Sequence, residues 1–155
     1  MGGDPLLKSA GITNVKFGID VAVVQPVNLY GCEVGDGSFI GPFVEIQKNV
    51  RIGKRCRIQS HSFVCELVTM GDDCFVAHGV MFINDSFADG KPAFDSSRWK
   101  ATQIGNNVSI GSNATILPVT ICDHTVIGAG SVVVHDIGTP GIYAGNPAKF
   151  LRSLP

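Results

Sequence analysis

Four histidines, His61, His78, His124 and His135, are the side chains of this sequence with basicity nearest neutrality. They are the first candidates for moving a proton. His78 stands out by its neighbours, because Asn84 and Asp85 follow within seven residues. An imidazole can take up a proton, and an asparagine oxygen can accept a hydrogen bond from an amine and orient it. A carboxylate can attract an ammonium or hold one histidine tautomer. Asn and Asp are also favoured where a loop begins, because they bond to nearby backbone. His61 lies 17 residues before His78. Successive histidines are 17, 46 and 11 residues apart, and none of the five cysteines (Cys32, Cys56, Cys65, Cys74, Cys122) forms a C-x-x-C pair. No metal is expected.

The elements that must position these residues are written in a repeat of six. From Val34, every sixth residue is apolar: Ile40, Ile46, Ile52, Ile58, Val64, Met70, Val76 and Phe82. At 45% hydrophobic content, nine such residues in one phase arise by chance roughly once in a thousand. A second register four residues later (Ser38, Val44, Val50, Cys56, Ser62, Val68, Cys74, Val80) is small or β-branched. A period of six fits neither a helix nor one long strand, but it fits a short strand followed by a corner. Both registers point inward. Glycine after the anchor, as at Gly35, Gly41, Gly53 and Gly71, is expected to turn the corner through unusual dihedrals. Three hexads then close a triangular coil of about 18 residues, and coils stack. Ile40, Ile58 and Val76 should lie above one another, and His61 should lie nearly one coil below His78.

The six-residue step also runs through Phe17, Val23 and Leu29, with Val21 and Val27 as partners, and shortens to five before Val34. It lapses after Phe82, resumes at Ile104, Ile110 and Ile116, takes another step of five to Ile121, and continues to Ile127 and Val133. The interruption, residues 84–102, reads as a polar loop inserted in the repeat, and such loops are usually functional. The chain is therefore expected to be one all-β domain over residues 1–155, with a C-terminal tail over 136–155.

Formal net charge is −1, charged residues make up 16%, and no apolar run approaches a membrane span. These features argue against nucleic-acid or membrane partners. The N-terminus lacks the pattern of a signal peptide, and an odd number of cysteines suits a reducing compartment, so a cytoplasmic location is expected.

Three segments carry a family resemblance: the repeat itself; Ile110-Gly-Ser-Asn-Ala-Thr-Ile-Leu-Pro118 with Ile127-Gly-Ala-Gly-Ser-Val-Val133; and Ile142-Tyr-Ala-Gly-Asn-Pro-Ala-Lys149. With them the chain resembles the hexapeptide-repeat acyltransferases, which implies a left-handed parallel β-helix and transfer from acetyl-coenzyme A. Ser60-His-Ser-Phe-Val-Cys65 and His78-Gly-Val-Met-Phe-Ile-Asn-Asp85 look closest to the nucleotide-sugar 3-N-acetyltransferases of surface polysaccharide biosynthesis. Where some of those enzymes carry Pro-Arg, this chain reads Ser86-Phe-Ala-Asp-Gly90, which leaves the sugar open. The resemblance implies His78, Asn84, Asp85 and His61 as catalytic candidates, a nucleotide-linked amino sugar as acceptor, and a homotrimer with its sites at subunit interfaces. Coenzyme A would lie between coils against Gly111, Ser112, Gly128 and Ala129, with Lys149 and Arg152 near its phosphates. The γ-class carbonic anhydrases share this fold, but the H-x4-H pair they need is absent. Two rival readings are an O-acetyltransferase and a non-catalytic scaffold subunit.

Overall fold

The computed structural model describes residues 2–155. Short strands wind into a left-handed β-helix of about seven coils with three flat faces. The first face stacks seven strands: Ile12–Thr13, Asn28–Tyr30, Glu45–Ile46, Phe63–Val64, Met81–Phe82, Thr115–Ile116 and Val132–Val133. The second stacks Lys16–Phe17, Glu33–Val34, Arg51–Ile52, Val68–Met70, Thr102–Ile104 and Thr120–Ile121. The third begins at Ala22–Val23 and rises through Phe39–Ile40, Arg57–Ile58, Phe75–Val76, Ser109–Ile110 and Thr125–Ile127 to Gly141–Ala144. All these pairings are parallel; one antiparallel strand, Lys149–Arg152, closes the third face against Gly141–Ala144. Within the expected tail over 136–155, the strands Gly141–Ala144 and Lys149–Arg152 thus extend the third face.

The expected register holds. Ile40, Ile58 and Val76 pair in sequence, 18 residues apart. Coils that contain a step of five are one residue shorter, as Leu29 opposite Ile46 and Ile110 opposite Ile127 show. Val76 then pairs with Ile110 across the insertion. The loop occupies residues 83–101, and Thr102, expected at its end, is buried in a strand.

Every anchor from Val34 to Phe82 is at most 4% exposed, and so is every residue of the second register. A buried Ile or Val side chain contributes about 1.5–3 kcal/mol by leaving water, so the stacked anchors are the main source of stability. Phe17, on the first coil, remains 40% exposed because no coil lies beneath it. The buried polar members of the second register bond to carbonyls: Ser38 Oγ to Gly53, and Ser62 Oγ to Ala77, both at 2.9 Å. Burial pushes the Cys32 thiol up to about 11 and the Cys65 thiol up to about 12.

The corners correct one expectation. The left-handed backbone falls three residues after the anchor, at Gly37, Phe43, Asn49, Arg55, His61, Leu67, Asp73 and Gly79. The glycine directly after the anchor serves close approach instead. A Cβ on Gly35 would stand 2.6 Å from the carbonyl carbon of Gly53, and one on Gly53 would stand 2.3 Å from the Gly71 oxygen. Among the described residues, no helix is long and apolar enough to cross a membrane.

Candidate active site

Three edges join the faces. The edge between the third and first faces carries Pro42–Phe43, Ser60–His61, His78–Gly79, Ser112–Asn113 and Ala129–Gly130, one pair above the next. It therefore collects His61, His78 and four of the six residues expected at coenzyme A. His61 and His78 are both exposed. His78 Nδ1 lies 2.9 Å from the hydroxyl of Ser60, the residue at the same corner position one coil below. When Nδ1 keeps its proton and donates it to this hydroxyl, Nε2 holds the lone pair and faces outward as a base. His61 adopts the left-handed conformation, φ +63°, and stacks on Phe43 at 4.8 Å between ring centroids.

Above His78 the same edge is lined by small residues. A Cβ on Gly111 would meet the Ala129 nitrogen at 2.5 Å, so glycine lets the coils close up there. The backbone N–H groups of His78, Ser112 and Ala129 have no acceptor among the described residues. A ladder of free N–H donors suits a ligand with carbonyl groups along its length. Lys149 pairs with Ala144, where the third face runs into this edge, whereas Arg152 pairs with Ile142 farther along the strand. Both side chains are exposed.

Asn84 and Asp85 lie elsewhere. The strand Met81–Phe82 carries the chain across the first face, so Asn84 and Asp85 sit at its opposite edge, where the loop leaves. Asn84 closes the neck of the loop: its Nδ2 donates to the Glu66 carbonyl at 3.3 Å, and its own carbonyl accepts from Lys100 N–H at 2.9 Å. Its side-chain oxygen has no donor among the described residues, so it can still accept from an amine. Asp85 accepts from the N–H groups of Phe87 and Ala93 at 2.9 and 2.7 Å, so its carboxylate shapes the loop. A single chain therefore does not bring His78 and Asn84 together. His124 is exposed on the edge between the second and third faces, and His135 is exposed beyond the last complete coil. Among the described residues, no cluster of metal-ligating side chains forms.

Ser60 and Phe43 were not singled out from the sequence. The signal that finds them is the 18-residue offset from His78 and His61, the coil length that the repeat itself predicts.

The comparisons agree with this architecture. The bacterial transferase hexapeptide (six repeats) model matches residues 31–66, and the hexapeptide repeat of succinyl-transferase matches residues 101–134. The bifunctional protein GlmU of Clostridium botulinum is 33% identical over 145 residues, covering 87% of this chain and 31% of GlmU. The chain thus spans about a third of the length of the curated relatives it matches. The hexapeptide-repeat acetyltransferase VCA0836 of Vibrio cholerae, solved with acetyl-coenzyme A, is 27% identical with TM-score 0.68, covering 81% of this chain and 72% of that one. AntD of Bacillus cereus, an N-acyltransferase solved as a point mutant in complex with dTDP and coenzyme A, has TM-score 0.79 over 92% of this chain and 85% of that one. At 19% identity, AntD speaks to the fold alone. Repeat and coil define a β-helix protein built of hexapeptide repeats. The chain carries the hexapeptide repeats of bacterial transferases and is similar in fold to the hexapeptide-repeat acetyltransferase of Vibrio cholerae.

Proposed function

We propose that this chain transfers an acetyl group from acetyl-coenzyme A to the amine of a nucleotide-linked amino sugar, a 3-amino sugar in surface polysaccharide biosynthesis. The observation that carries the reading is the histidine edge, where His78, steadied by Ser60, sits directly below a stretch of free backbone N–H groups. Acetyl-coenzyme A would lie along that stretch, its amide carbonyls on the N–H groups of Ser112 and Ala129, its thioester beside His78, and its phosphates toward Lys149 and Arg152. The amine nitrogen attacks the thioester carbonyl, the C–N bond forms, and His78 Nε2 takes the proton the nitrogen sheds. Collapse breaks the C–S bond, and His78 returns the proton to the departing sulfur. A sugar amine resembling an α-amino group titrates at about 7.7–8.0, so much of it is already neutral and holding the reactants together supplies a large share of the rate.

Asn84 orients the amine in this reading, and it does so from a second subunit. His78 and Asn84 occupy opposite edges of the first face, and a homotrimer that sets one subunit's His78 edge against its neighbour's loop edge joins them. The half-exposed Phe75 and Met81, on the two faces that flank His78, supply apolar surface for that contact. A cytoplasmic location fits five unpaired cysteines.

The test is acetyl transfer to amino-sugar nucleotides and their hydroxyl counterparts, read by thiol release. Asn84→Ala lowers kcat/KM about ten- to a hundredfold, the scale of one orienting hydrogen bond of about 1–3 kcal/mol. His78→Asn loses activity partially, and less as pH rises and free amine accumulates. Transfer to the hydroxyl sugar alone, abolished in His78→Asn at every pH, overturns N-transfer. A monomer mass in sedimentation equilibrium overturns the shared site.

A further inference from the structure

Below His78 the same edge changes character. Phe43 occupies the corner position that imposes left-handed backbone, φ +62°. Among the corresponding positions, Asn49, Asp73, Gly79, Asn107 and Asn113 hold residues that accept this conformation readily, whereas Arg55, His61 and Leu67, like Phe43, do not. Phenylalanine gains no conformational ease there and little burial, since it remains 56% exposed. One side of its ring stacks on His61, 4.8 Å between centroids and 21° between planes. Phe43 also lines a shallow cavity of about 210 Å³ with Pro26, Val27 and Val44. The polar rim of that cavity is Asn28 and Glu45, joined by a 3.1 Å hydrogen bond from Asn28 Nδ2 to Glu45 Oε2. Gln47 Nε2 holds the other oxygen of Glu45 at 3.2 Å. Asn28 Oδ1 and the remaining lone pairs of Glu45 can still accept. An aromatic ring and a proline beside two acceptors match a flat heterocycle whose edge carries N–H groups.

We propose that the Phe43 cavity is a subsite for the nucleobase of a nucleoside diphosphate, and that the base presents an N–H edge, as thymine, uracil and guanine do. The inference rests on the reading of the chain as a nucleotide-sugar acyltransferase and adds where the acceptor's nucleotide lies. Phe43 is two coils below His78 and Pro26 is three, or roughly 10–14 Å at the usual strand spacing. A diphosphate and a ribose bridge such a span between a sugar held at His78 and its base. Arg57 lies four residues before His61 in the same coil. Its guanidinium sits 4.9 Å over the Phe39 ring and pairs with no carboxylate among the described residues. It is the free cation placed to meet the diphosphate. His78 thus divides the edge: acetyl-coenzyme A runs upward over small residues, and the acceptor runs downward over aromatic ones.

The experiment is calorimetric titration of the full chain with dTDP, UDP, GDP, CDP and ADP, and separately with acetyl-coenzyme A. Expected is tighter binding of dTDP, UDP and GDP than of CDP and ADP, whose pairing edges present an acceptor where the other three present an N–H. Phe43→Gly weakens dTDP about ten- to a hundredfold, the scale of one base stacked on an aromatic ring. It leaves the acetyl-coenzyme A Kd unchanged and does not lower Tm, because glycine suits the left-handed corner. Phe43→Trp keeps dTDP affinity. Unchanged dTDP affinity in Phe43→Gly overturns the subsite. Weakened acetyl-coenzyme A binding in that variant also overturns it, because the base held there is then the cofactor's adenine. Should Phe43→Gly lower Tm, the indole of Phe43→Trp decides: emission unresponsive to dTDP overturns the subsite, and a saturable response supports it. Failure of acetyl-coenzyme A to bind the parent chain refutes the acyltransferase reading instead, independently of the Phe43 result.

Discussion

At the edge between the second and third faces, a side chain from every coil but one reaches down to cap the coil below. Asp36 Oδ1 accepts from Ile19 N–H, Asp72 from Lys54, Asn106 from Asp72 and Asp123 from Asn106, at 2.7–2.9 Å. Lys54 interrupts this ladder and pairs with Asp36 at 3.0 Å instead. At the edge that carries His78, the equivalent positions hold Pro42, Ser60, His78, Ser112 and Ala129. None of these caps a neighbouring coil, and the N–H groups of His78, Ser112 and Ala129 stay open. The backbone geometry of the two edges is alike, yet one caps four of its corner donors, those of Ile19, Lys54, Asp72 and Asn106, with its own side chains and the other caps none. An N–H without a protein partner must be met by water or a ligand, and in the reading proposed above that ligand is acetyl-coenzyme A.

Close approach at the glycines is shared by both edges, at Gly105 on the ladder and Gly111 on the edge that carries His78, and relaxes at the top coil. A Cβ at Gly105 would stand 2.2 Å from Asp123 Oδ1 and 2.6 Å from Asp123 N, whereas at Gly128 the nearest atom, Ala144 Cβ, is 3.0 Å away. Gly105→Ala is expected to lose about 1–3 kcal/mol of stability by overpacking, and Gly128→Ala clearly less. Equal urea midpoints for the two variants would show that the ladder does not depend on close approach at that glycine.

Proline sharpens the same contrast. Pro42 already occupies the corner position matched by Ala129, so Ala129→Pro fits the backbone and deletes one open N–H. Its unfolding free energy should stay within about 0.5 kcal/mol of the parent, while acetyl-coenzyme A binds about tenfold more weakly, the loss of one hydrogen bond. Asp72→Pro, on the ladder edge, removes both the N–H that donates to Asn106 and the carboxylate that accepts from Lys54, and should lower stability by about 1–3 kcal/mol. Undiminished acetyl-coenzyme A affinity in Ala129→Pro would remove the open edge from the binding site.

The smallest expected effect is in acid. The Ile19 N–H, with Lys54 beside it, holds the Asp36 carboxyl below its ordinary value of 3.8, and the Asn106 N–H and side chain do the same for Asp123. Groups lowered in the folded state stabilise it at pH above 3.8, and that contribution is lost as pH falls through their folded values. Acid should therefore loosen the ladder edge, and Asp123→Asn, which keeps an acceptor but cannot ionise, should show a shallower decline in unfolding midpoint between pH 5 and 3. An identical decline in parent and variant would exclude Asp123 from the acid response.

The sequence by itself determined the coil. An anchor every sixth residue and a small partner four later name the buried side chains one by one, because a strand turned at fixed intervals must send the same positions inward. The steps of five at Leu29–Val34 and Ile116–Ile121 foretold the shorter coils, and the lapse after Phe82 foretold the loop. The left-handed residue was misplaced by two positions, because glycine after the anchor looks the same whether it answers to dihedral freedom or to the backbone of the next coil. The candidate site was legible in its members rather than in its arrangement. His78 and Asn84, six residues apart, lie at opposite edges of a face, whereas Ser60 and His78, 18 apart, are in hydrogen-bonding distance. The 18-residue coil predicted from the repeat already stacks Ser60 under His78, and only the tertiary structure decided that their side chains meet and that Asn84 is held at the far edge. A hexad fixes which way a side chain points, and the closing of three hexads fixes what it meets.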